Sequence, residues 1–119
     1  MSAPEEPKTF IVNSIIGEGS EFRGEFKIKG FLRIDGYFKG LIETSEKVLI
    51  GEKGFVESDI ISDIVVVGGT VDGNVFAHRQ VKLLSTGRVR GDIVAPSMFL
   101  EEGAVFEGRC TINKTGKKN

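Results

Sequence analysis

A glycine-centred phrase recurs along almost the whole chain, and its spacing constrains the fold more than any other feature. Set in register, one column holds Phe22, Phe38, Val56, Val71, Val89 and Phe106, at intervals of 16, 18, 15, 18 and 17 residues. Two positions later stand Gly24, Gly40, Ser58, Gly73, Gly91 and Gly108. The next column is Phe26, Ile42, Ile60, Val75, Ile93 and Cys110, and the next Ile28, Thr44, Ser62, Ala77, Ala95 and Ile112. Six positions ahead of the first column lie Ile16, Leu32, Ile50, Val65, Leu83 and Leu100, all large and aliphatic. In this register a block of thirteen residues keeps its length, and insertions fall in the two to five residues between blocks. Fixed strands joined by a variable corner behave in this way.

Within each block the apolar period is two, which specifies strand rather than helix and sends the apolar columns to one face. A glycine on that face permits close backbone approach or a bend. A repeat of this length is too short for a propeller blade or a helical hairpin but fits two or three short strands and their corners. Equivalent residues then stack in parallel ladders about 4.8 Å apart, so six coils make a rod roughly 25–30 Å long. The expected fold is all-β: a single parallel β-helix of about six three-sided coils, each too small to bury its own face. Left-handed hexapeptide helices keep sixfold spacing, which the irregular intervals break, so the expected hand is right.

The 119 residues suit one domain. Sixteen basic residues against seventeen acidic ones give a net charge of −1, so nothing draws the chain to nucleic acid. A single cysteine, Cys110, excludes an intramolecular disulfide and any CxxC metal knuckle, and a reducing cytoplasm suits it. No apolar run approaches the roughly 20 residues that span a bilayer. The opening "MSAPEEPKTF" lacks the basic and apolar regions of a signal peptide.

The phrases "LLSTGRVRGDIVAP", "EEGAVFEGRC" and "LRIDGYFKGLI" resemble the bactofilin family of bacterial polymer-forming cytoskeletal proteins, over roughly residues 14–112. The resemblance implies a right-handed triangular β-helix with short disordered tails. It also implies end-to-end filaments formed without nucleotide, and a scaffold near the inner membrane surface that influences cell shape and positions cell-wall enzymes. Ser58 departs from the glycine column.

Candidate chemistry is sparse. The clusters "GEGSEFRG" and "VGGTVDG" lack the Lys-Ser/Thr pair and following helix of a phosphate-binding loop, and read as coil corners. Cys110 reads as a small apolar member of its column. No catalytic, cofactor or metal residues are expected. His78, the one histidine, falls in a corner, and a small acyltransferase-like enzyme using it is one alternative. A carbohydrate-binding module using a flat face is another. Connectors this short leave no cleft in which paired carboxylates could work.

The ends of the repeat carry the functional expectation. Residues 1–9 and 113–119, the latter basic, read as disordered tails flanking a β-helix over residues 10–112. Neither tail looks like a cap, although soluble solenoids usually need one. Phe22 and Phe26 would therefore lie bare at one end, and Phe106 and Ile112 at the other. Bare apolar ends on a rod predict stacking of the chain on itself into filaments.

Overall fold

The computed structural model describes residues 12–113, and among them there is no helix. The two expected tails lie outside the described residues, except Asn113, whose N–H still donates to the Ala95 carbonyl at 2.8 Å. Thirteen strands alternate with tight corners: β1 (Val12–Ile16), β2 (Glu21–Ile28), β3 (Phe31–Ile34), β4 (Tyr37–Thr44), β5 (Lys47–Ile50), β6 (Phe55–Val67), β7 (Thr70–Asp72), β8 (Val75–Leu83), β9 (Arg88–Arg90), β10 (Ile93–Ala95), β11 (Met98–Leu100), β12 (Val105–Glu107) and β13 (Cys110–Ile112). Every pairing is parallel and joins one coil to the next, so the chain winds as a β-solenoid of about six turns.

The coil has three faces. The first stacks β1, β3, β5, the end of β6, the end of β8 and β11. The second stacks the starts of β2, β4 and β6 on β7, β9 and β12. The third stacks the ends of β2 and β4, the middle of β6, the start of β8, β10 and β13. On the second face the observed ladder is Phe22, Phe38, Val56, Val71, Val89, Phe106, as the repeat predicts. On the third it is Phe26, Ile42, Ile60, Val75, Ile93, Cys110.

The first face corrects one column. Ile16 stacks on Ile34, and the ladder continues through Ile50, Val67, Leu83 and Leu100. Leu32 and Val65 belong to the neighbouring inward ladder, with Ser14, Val48, Val81 and Met98. Six residues separate Ile16 from Phe22 but only four separate Ile34 from Phe38, and the shortening recurs between Val67 and Val71. The thirteen-residue block is therefore not constant: length varies at the corner before the second face as well as the corner after the third. A change of two residues keeps the side-chain alternation in phase, which is why the sequence hides it.

Apolar residues from all three faces meet in one core in which Leu32, Phe38, Ile60, Val71 and Ile93 have no exposed surface. Thr44 and Ser62 interrupt it as a buried pair whose hydroxyls share a 2.8 Å hydrogen bond. Each supplies the other's partner, so neither bears the cost of an unmade bond.

The glycines do not point inward as the alternation suggested; they form the bend between the second and third faces. Gly40 has φ of 138°, and a Cβ there would come within 1.9 Å of the Gly24 carbonyl oxygen. At Gly91, with φ of 146°, it would come within 2.1 Å of the Gly73 carbonyl oxygen. Only glycine combines that backbone with contact between successive coils. Ser58 fills the same column without a positive φ, and its buried Oγ has no partner among the described residues. Just past the bend a side-chain ladder braces coils three to six. Asp59 Oδ1 accepts the Asn74 N–H (3.0 Å), Asn74 Oδ1 the Asp92 N–H (2.9 Å), and Asp92 Oδ1 the Arg109 N–H (3.2 Å).

Candidate assembly interface

Among the described residues, a rod built this way has two cross-sections with nothing stacked on them. At the amino-terminal end β1 pairs only with β3, and β2 only with β4. At the other end β11 pairs only with β8, β12 with β9 and β13 with β10. Each terminal coil therefore presents a row of backbone groups with no described strand beyond it.

The four residues expected at the ends lie there. Phe22 is half-buried and stacks on Phe38 beneath it, with ring centroids 5.0 Å apart and planes 11° from parallel. Phe26 meets Phe22 edge-on at 5.6 Å, so the two rings pave the first cross-section together with Ile28. At the far end Phe106 is half-buried over Val89, and Ile112 is 47% exposed. The mid-rod members of these columns show the contrast: Phe38, Val56, Val71 and Ile93 are sealed.

Leu100, 51% exposed, and half-buried Met98 complete the last cross-section. Leu100 was missed because it was read as one more member of a core column, and Met98 because its inward ladder was not recognised as a separate column. The available signal is simple: the first and last member of every inward column is an end residue, whatever its type.

Cys110 is corrected on the same ground. It stacks on Ile93 as expected, yet as the last of its column it is exposed rather than core. Its thiol donates to the Met98 thioether sulfur at 3.1 Å, and partial burial pushes its pKa up. A thiol held protonated is a poor nucleophile. His78 is exposed at the corner after the third face, with Nδ1 3.2 Å from the Ser62 carbonyl oxygen and its ring edge-on to Phe76. Among the described residues no serine or cysteine side chain is paired with it. Both glycine clusters are coil corners or bends. Among the described residues no group of three or more His, Cys, Asp or Glu side chains could hold a metal ion. No helix there is long and apolar enough to cross a membrane.

The model of the polymer-forming cytoskeletal bactofilin family matches residues 14–111, nearly every coil of the solenoid. The chain belongs to the bactofilin family. It is similar to bactofilin BacO of Myxococcus xanthus, with 36% identity over 109 residues that cover 92% of this chain and 86% of the relative. It is also similar to bactofilin BacP of the same organism, with 30% identity over 97 residues. That match covers 82% of this chain but 40% of BacP. No solved structure matches the chain.

Proposed function

We propose that this bactofilin is a non-enzymatic cytoplasmic scaffold that stacks end to end on itself into filaments without nucleotide. The observation that carries the reading is the pair of open apolar cross-sections, Phe22 and Phe26 on one and Phe106 and Ile112 on the other. Covering them removes apolar surface from water and gives the terminal strands a neighbour, so both driving forces act at the same place. Such a filament supports cell shape and positions cell-wall enzymes, the role that the family resemblance implies. Nothing in the described chain resembles a phosphate cradle, so assembly needs no nucleotide. Light scattering and negative-stain electron microscopy of the purified chain, with and without ATP or GTP and magnesium, test the reading. Filaments of equal length in all conditions are expected. Monomers, or a requirement for nucleotide, would overturn it.

A further inference from the structure

The chain enters the solenoid on its first face, and that face differs from the other two. Its strand segments contain no aspartate or glutamate. Outward positions of the third face, by contrast, include Glu25, Glu43 and Asp59. Val12 opens a ladder along the leading edge of the first face, which continues through Phe31, Lys47, Ile64 and Gln80. Near its start Ile15 is 62% exposed and Phe31 half-buried. Two charges further along have no ion-pair partner among the described residues: Glu46, beside Lys47 in the third coil, and Lys82, in the fifth.

Residues 1–11, "MSAPEEPKTFI", lie outside the described residues. We infer that residues 5–11 fold back along this edge as a latch over the first face. The match is one of order and of length. Counting back from Val12, the sequence offers apolar Ile11 and Phe10, then the base Lys8, then the acids Glu6 and Glu5. Moving along the rod from Val12, the edge offers apolar Phe31, then the acid Glu46, then the base Lys82. With coils about 4.8 Å apart, those three stand roughly 5, 10 and 19 Å from Val12. An extended chain advances about 3.3 Å per residue, so Phe10 reaches about 7 Å, Lys8 about 13 Å and Glu6 about 20 Å. Each side chain therefore reaches its complement. Charge selects the face, because on the third face Glu5 and Glu6 would meet Glu25, Glu43 and Asp59. Tethering selects the occupant, because the chain's own segment is present at an effective concentration that a second copy cannot match. Pro7 has no N–H to give a ladder, so the segment lies on the face rather than adding a strand. Exposed ion pairs are individually weak and ordering the segment opposes them, so the latch opens readily and salt releases it. It covers neither cross-section, and the inference stands apart from filament formation.

Carbodiimide coupling of carboxylates to amines in the full chain tests it, with heavy- and light-isotope protein mixed and the products read by mass spectrometry. At low salt, Glu46 should couple to Lys8, and Glu5 or Glu6 to Lys82, within single chains. Lys82→Gln removes the far anchor, so it should lower Glu46–Lys8 coupling roughly threefold, the worth of one exposed ion pair. Tryptic cleavage after Lys8, far from the substitution in sequence, should speed up by a similar factor. Both differences should vanish in molar salt. The Lys82 ammonium is on the outside, so strand circular dichroism should be unchanged, and Lys82→Met, which keeps the apolar stem, serves as a second variant. Absence of Glu46–Lys8 coupling, or coupling and cleavage indifferent to both variants, would overturn the inference. So would products that join heavy to light chains, which would give the edge to a second copy's segment.

Discussion

Replacing Phe106 by arginine should abolish polymerisation while leaving the solenoid folded. The ring is half-buried, with Val89 beneath it and no coil beyond it among the described residues. Complete burial of a phenylalanine contributes about 1.5–3 kcal/mol, so covering the remaining half is worth about 1 kcal/mol at the joint. The guanidinium adds more: desolvating an unpaired charge there costs several kcal/mol. Together these reach roughly 4 kcal/mol, or an association constant lowered about a thousandfold. At the free end of a monomer the arginine can bend its charge into water, so the fold loses little. Val71, fully buried two coils earlier in the same column, is the control. Arginine there has no route to solvent and should unfold the chain. Negative-stain electron microscopy and sedimentation velocity read assembly, and circular dichroism reads the fold. Filaments persisting in Phe106→Arg would remove this end from the joint. Loss of strand signal in that variant would show that the residue is core.

The chain trimmed to residues 12–113 should still form filaments, because both cross-sections are built from those residues; folded monomers by sedimentation would move the contact to the removed segments. Cys110 lies in the last cross-section and is exposed in the single chain, so assembly should slow its alkylation by a maleimide at least tenfold relative to assembly-deficient Phe106→Arg; equal rates would show that this cross-section stays open. Gly91→Ala should destabilise the fold by about 2–4 kcal/mol, since it combines a strained φ with a Cβ 2.1 Å from the Gly73 carbonyl oxygen; an unchanged urea midpoint would mean that the coils can part there.

The second and third faces were legible in the sequence because four residues separate their inward columns in every coil, from Phe22 to Phe26 through to Phe106 to Cys110. The first face was legible only in part. Its corner loses two residues before Phe38 and before Val71, and an even deletion leaves apolar residues facing apolar residues, so Leu32 and Val65 filled a column that was not theirs. The bracing ladder at the bend left a faint trace in Asp59, Asn74 and Asp92, each just after the glycine column. Polar residues after a bend are common, and only coordinates show that each side chain reaches the next coil's backbone.

The ends of the rod were readable for a different reason. A repeat specifies the interior of a rod by what surrounds each member, so any member that lacks a neighbour is an end, and Phe22 and Phe106 follow by position alone. Their chemistry then matters more than their position. A solenoid that ended in charged residues at those places would be closed to further stacking. Here a half-buried phenylalanine stands at each end of one column that is otherwise sealed, so among the described residues the contact that holds successive coils together is left unfinished at both ends. A second chain can complete it with the same kind of apolar packing that already joins Val71 to Val89.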